Sequence, residues 1–182
     1  IDPMNRFMIV VNPDKDTDST VTNRIQSYLE AHGAACMVRD VFQLESSDWE
    51  ALKKEQFDCV LVLGGDGTLL RMAGETEDID IPLFGINLGT VGFLTEGEVA
   101  NIEEILGRLL TDDFTIEERM MVTGTVTKAD GTTYHKSALN DIVISRAGFS
   151  RLIGLNVSVD GQVLDTYEAD GVVISTPTGS TG

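Results

Sequence analysis

The stretch "CVLVLGGDGT", residues 59 to 68, limits the possible folds more than any other part of the chain. Its first five side chains are all apolar and two glycines follow. Such a strand needs cover on both faces, as in a parallel sheet flanked by helices. "TLLRMAGE" continues as a helix, giving the order strand, glycine turn, helix. Gly64, Gly65 and Gly67 permit positive φ and close backbone approach, and the N–H groups of a helix opening at Thr68 form a natural anion site. Ligands of open α/β sheets sit at the carboxyl ends of strands, where this loop falls.

The surrounding segments repeat that alternation. "RFMIVVNP" (6–13) is a strand halted at Asn12-Pro13. Val21, Ile25, Tyr28 and Leu29 then recur at helical spacing, with Ser19 as cap and Gly33 as stop. "AACMVRDV" (34–41) is a second strand, residues 48–54 a short helix, and "IPLFGIN" (81–87) a fourth strand. Thr95 and Glu98 predict a capping box ahead of a helix whose stripe is Val99, Ile102, Leu106 and Leu109. Residues 1–112 therefore read as an open, mostly parallel, Rossmann-like α/β sheet.

Beyond residue 112 the period changes from helical to alternating. Asp130-Gly131 and Asp160-Gly161 each divide two alternating segments, a strong hairpin signal. Residues 113–182 read as a β-rich second domain, sandwich-like and incomplete where the chain stops at "STPTGSTG".

Thirty acidic residues oppose 13 basic ones, a formal charge of −17. Duplex nucleic acid is a poor partner for such a chain. A bound nucleotide would need a local donor nest, a few placed cations or a divalent ion. No apolar run reaches the ~18 residues of a membrane span, and no export signal precedes the first strand, so a cytoplasmic protein is expected. Cys36 and Cys59 fit reduced core thiols. With His32 and His135 isolated, no zinc spacing exists and no metal-ligand set is expected. Ile1-Asp2-Pro3 reads as a remnant ahead of a native start at Met4.

Two phosphate loops are excluded around Asp66. No lysine follows the glycines as a P-loop requires, and Leu70 stands where the dinucleotide fingerprint has its third glycine. Asp66 is then either a turn residue or a carboxylate acting on something held beside the phosphate. In the second case it takes a hydroxyl proton or holds Mg²⁺. "GINLGTVGFLTE" follows the fourth strand with Gly89, Gly92 and the flat surface of Phe93. "ADGVVISTPTGSTG" ends in a loop of hydroxyl residues able to hold phosphate or sugar.

Taken together, "GGDGTLLR" (64–71), "NLGTVGFL" (87–94), "ALNDIVISR" (138–146), "SRLIGLNVSVDGQ" (150–162) and "YEADGVVISTPTGSTG" (167–182) resemble the NAD kinase family in order and spacing. The resemblance implies phosphoryl transfer from ATP, or polyphosphate, to the 2′-hydroxyl of the adenosine ribose of NAD, giving NADP. Mg²⁺ or another divalent cation would take part. It also implies an N-terminal α/β domain, a C-terminal sandwich-like domain with the site between them, and a homo-dimer or homo-tetramer.

On that resemblance Asp66 is the proton acceptor and Gly64 and Gly65 form the phosphate loop. Gly67, Thr68, Arg71 and Phe93 meet nucleotide. Asn140 and Asp141 match an Asn-Glu pair, with an acid one methylene shorter. Arg151 is a phosphate contact across subunits. Asp170 and the hydroxyls of Thr178, Ser180 and Thr181 complete the dinucleotide site. Gly182 stands where alanine is usual, and the family continues past this loop, so a truncated form is expected. Two other readings remain: a lipid or sugar kinase sharing the Gly-Asp-Gly loop, and an inactive dinucleotide-binding module.

Overall fold

The computed structural model describes residues 3–54, 56–90, 92–149 and 151–181. The expectations for Ile1-Asp2 and Gly182 lie outside these residues. The chain divides into two compact units, residues 1–118 and 119–182.

The first unit is built on a five-stranded parallel sheet in the order β2-β1-β3-β4-β5. Its strands are β1 (Arg6–Val11), β2 (Ala35–Asp40), β3 (Cys59–Gly64), β4 (Leu83–Asn87) and β5 (Gly97–Glu98). The helices are α1 (Thr20–Ala31), α2 (Ser46–Lys54), α3 (Asp66–Glu75) and α4 (Ile102–Leu110). Successive side chains of β1 and β3 alternate between two cores. Phe7, Ile9, Leu61 and Leu63 pack with Ile25, Leu29, Ile102 and Leu106; Met8, Val10, Val60 and Val62 pack with Leu52, Leu69 and Met72. Both faces are thus covered, which is why the strands are apolar without a break from Phe7 to Val11 and from Cys59 to Leu63. Because β2 and β3 lie on opposite sides of β1, the strand order reverses there, and a crevice opens at the carboxyl ends.

Phe7 of β1 pairs in register with Cys36 on one side and Cys59 on the other. Two strand spacings, roughly 10 Å, separate the sulfur-bearing positions, beyond disulfide reach. Both thiols are free, and burial pushes Cys36 up to about 11 and Cys59 up to about 12.

Three helix starts differ from the sequence reading. Ser19 sits in the left-handed region (φ 58°) without a side-chain cap. Asp16 caps α1 instead, its carboxylate accepting the N–H groups of Val21 (3.1 Å) and Thr22 (2.8 Å). A buried carboxylate with two N–H donors outcompetes an exposed hydroxyl. Helix α3 opens at Asp66 rather than Thr68, with Gly65 as its cap residue. At the third start, a capping box joins Glu98 to Asn101 ahead of a 3-10 turn, Val99–Asn101, rather than Thr95 to Glu98, because Thr95 is buried and engaged elsewhere.

The second unit consists of three antiparallel pairs: β6 (Val122–Thr127) with β7 (Thr133–Ala138), β8 (Asp141–Ser145) with β11 (Gly171–Ser175), and β9 (Ile153–Val159) with β10 (Gln162–Ala169). Both Asp-Gly turns form as the sequence predicts. Asp160 (φ 50°) and Gly161 (φ 78°) are both left-handed, as a two-residue hairpin between right-twisted strands requires. Gly131 (φ 85°) closes the other turn.

Candidate active site

The glycine turn after β3 works by close approach. None of Gly64, Gly65 and Gly67 has positive φ, and Gly65 is fully extended (φ −144°, ψ −168°). A Cβ at Gly64 would lie 2.9 Å from the Thr68 Cβ, so Thr68 can fold back on β3 only over a glycine. A Cβ at Gly67 meets nothing. The turn lines a cleft of about 320 Å³ together with Asn12, Lys15, Phe42 and Arg71, drawn from the carboxyl ends of β1, β2 and β3. Arg71 is ion-paired with Glu75 (2.9 Å) and lies over the Phe42 ring (5.9 Å), which aligns its guanidinium along the cleft wall.

Asp66 also lines this cleft, and its carboxylate organises the loop that follows β4. Oδ2 accepts the Phe93 N–H at 2.8 Å. Oδ1 accepts the N–H groups of Leu94 (3.1 Å) and Thr95 (3.2 Å) and the Thr95 hydroxyl (3.4 Å). Burial alone would raise this carboxyl's pKa, but the N–H donors outweigh it and hold the group below the ordinary aspartate value. Asn87, at the end of β4, winds the same loop from the other side. Its side chain donates to the Thr90 carbonyl (2.6 Å) and the Thr95 hydroxyl (3.2 Å) and accepts from the Gly89 N–H (2.8 Å). Gly92 is the point of closest approach, since a Cβ there would lie 2.5 Å from the Asp66 Cγ. Phe93 is 101% exposed, which removes a core role for it.

In the second unit, β8 and β11 place Asn140, Asp141 and the hydroxyl loop at one end. Asp141 pairs in register with Ser175. The Asn140 carbonyl accepts from the Thr176 N–H (2.9 Å). Gly179 lies so close that a Cβ there would sit 2.7 Å from the Asn140 carbonyl carbon. The Asn140 Oδ1 is buried without a hydrogen-bond partner among the described residues. Thr178 accepts from Arg119 (3.4 Å), and the Ser180 hydroxyl donates to the Pro177 carbonyl (2.9 Å). Thr181 is exposed on the same loop. Asp170 stands at the far end of the β8/β11 pair, roughly 17 Å away at five strand residues, in an ion pair with Arg146 (2.9 Å). Arg151 is exposed in the segment between β8 and β9.

Asn12, Lys15, Asn87 and Thr95 were not singled out as site residues from sequence. Their available signal was position: each follows or ends a parallel strand, Asn12 and Lys15 after β1, Asn87 and Thr95 around β4. Among the described residues no three acidic, histidine or cysteine side chains cluster as a metal cage.

Residues 7–114 match the family model described as ATP-NAD kinase N-terminal domain, and residues 139–182 match the ATP-NAD kinase C-terminal domain. A protein named NAD kinase from Lachnoclostridium phytofermentans is 44% identical over 98% of this chain and 64% of its own length. One from Lachnospira eligens is 41% identical over 98% of this chain and 62% of its own. The chain thus spans just under two thirds of these relatives. The fold is similar to that in a crystal structure of yeast NADH kinase complexed with NADH (TM-score 0.78, 22% identity, all of this chain and 60% of the other). On the two family-model matches and these identities, the chain belongs to the ATP-NAD kinase family.

Proposed function

We propose that this chain carries the nucleotide-handling part of an NAD kinase, which moves the terminal phosphoryl group of ATP to the 2′-hydroxyl of the adenosine ribose of NAD. The observation that carries the reading is the double engagement of Asp66. Its carboxylate lines the cleft while Oδ2 takes a single N–H, which leaves acceptor capacity for a hydroxyl. In a loose phosphoryl-transfer transition state the hydroxyl proton leaves late, so a weak, well-oriented acceptor suffices. A carboxyl held below its ordinary pKa fits orientation of the nucleophile with late proton uptake.

Phe93, on the loop anchored by Asp66, offers its open ring to an adenine or nicotinamide face. The buried, unpartnered Asn140 Oδ1 supports a ligand donor at that side chain, such as a base amino group. Asp141, Thr178, Ser180 and Thr181 then serve sugar and phosphate by hydrogen bonds without positive charge. Asp170 and Arg151 are assigned to the dinucleotide and its phosphates on the family pattern. A divalent cation enters with the phosphates of the nucleotide, in keeping with the lack of a three-ligand cage among the described residues. A homo-oligomer in the cytoplasm completes the reading.

The test is formation of NADP from NAD and ATP with Mg²⁺, read through glucose-6-phosphate dehydrogenase. Parallel reactions replace ATP with polyphosphate and NAD with NADH to fix donor and acceptor. Phosphorylation of a lipid or free sugar, with none of NAD or NADH, would overturn the proposal.

A further inference from the structure

A chain of charge −17 repels phosphates at long range, so the cations that escape internal pairing carry information. In residues 3–118 the arginines and lysines are engaged by neighbours: Arg24 with Glu103, Arg39 with Asp48, Lys53 with Asp78, Arg71 with Glu75. Lys15 differs. No hydrogen bond or ion pair reaches its ammonium among the described residues, although 30 carboxylates are available in the chain.

Its place in the fold explains what it is kept for. Lys15 follows β1 at the strand-order reversal, and the β1–α1 turn holds it there: the Lys15 N–H donates to the Asn12 carbonyl (3.1 Å). The neighbouring acid, Asp16, is turned away and consumed as the cap of α1. The ammonium reaches across to both glycine turns. A Cβ at Gly65 would lie 3.0 Å from the Lys15 Nζ, and one at Gly89 3.9 Å. Two bare stretches of backbone therefore flank one cation at the cleft, where the one carboxylate among the described lining residues, Asp66, is held by the N–H groups of the loop after β4 and makes no ion pair with it.

We propose that Lys15 holds the phosphate chain of the nucleotide bound in this cleft, as the charge that offsets the repulsion of the acidic surface. This rests on the phosphotransfer reading and adds a residue to it. The phosphate chain is that of the donor's tail or of the dinucleotide, and the two are separable by ligand.

Titration calorimetry on the protein would compare inorganic tripolyphosphate with NAD for wild type, Lys15→Gln, Lys15→Arg and, as a control away from the cleft, Lys53→Gln. Lys15→Gln is expected to weaken one of the two ligands about tenfold or more, the scale of a lost charge-assisted contact. Lys15→Arg should retain most of the affinity, and Lys53→Gln should match wild type. A tripolyphosphate effect assigns the donor's tail, a NAD effect the dinucleotide. Equal affinities in wild type and Lys15→Gln for both ligands, or no binding of either by wild type, overturn the inference. Lys15-dependent binding without NADP formation would remove the kinase reading alone. NADP formation with binding indifferent to Lys15 would remove only this one.

Discussion

The Phe93 N–H donates to Asp66 Oδ2 at 2.8 Å, joining the first turn of α3 to the loop after β4 across 27 residues. With Leu94 and Thr95 on Oδ1, one carboxylate fixes three consecutive amides while still facing the cleft. The proposed chemical residue is therefore also the anchor of the segment that presents Phe93.

Asp66→Asn replaces one acceptor oxygen with a donor amide that faces N–H groups. Stability should fall by about 2 kcal/mol, the scale of lost charge-assisted hydrogen bonds. Turnover should drop about 10²- to 10⁴-fold if Asp66 handles the hydroxyl. Urea unfolding and the NADP assay measure the two effects. Wild-type turnover in Asp66→Asn would remove the residue from the reaction.

The same carboxyl gives a pH signature. Its folded pKa lies below the ordinary value, near 3.9 for an unfolded aspartate. The stability it contributes is fully present above about pH 4 and is lost as pH falls through the lower folded value. The stability gap between wild type and Asp66→Asn should hold steady from pH 7 to about pH 5, then close on further acidification. A gap unchanged down to pH 2 would contradict the assignment.

Gly92→Ala places a Cβ 2.5 Å from the Asp66 Cγ. Either the loop or the carboxylate must move, at about 1–3 kcal/mol as for other overpacked sites. Unfolding should show that loss and the NADP assay a matching fall in turnover. Gly67→Ala is the contrast, because a Cβ there meets nothing.

Phe93→Ala removes a ring that is 101% exposed. Its unfolding free energy should therefore stay within about 0.5 kcal/mol of wild type. Dinucleotide affinity, followed by calorimetry, should weaken about tenfold, the lower range for a lost aromatic stacking partner. A large stability loss with unchanged affinity would make Phe93 structural.

Thr95→Val deletes the hydroxyl that donates to Asp66 (3.4 Å) and accepts from Asn87 (3.2 Å). A loss of about 1 kcal/mol is expected, and Thr95→Ser should restore it in the same unfolding measurement.

The parallel sheet was legible because β1 and β3 carry apolar residues for both cores, the pattern of strands covered on both faces by helices. The hairpins were legible from Asp160-Gly161, where two left-handed residues are required in sequence. The helix starts were not. Capping is decided by which polar group is carried to the helix end in space, and Asp16 reaches α1 from outside the local pattern that pointed to Ser19. Asp66 stood out in the sequence, but its three N–H partners did not. They lie on a loop brought near by the pairing of β3 with β4, and spacing along the chain carries no trace of that contact.

The near-contact of Gly92 with Asp66 has an evolutionary corollary. No side chain can be added at 92 while the carboxylate keeps its place, and no replacement at 66 offers two acceptor oxygens to residues 93 to 95 at the same reach. A change at either position is thus expected to alter the cost of a change at the other, so that their effects do not add. A descendant with a different loop would have to alter both.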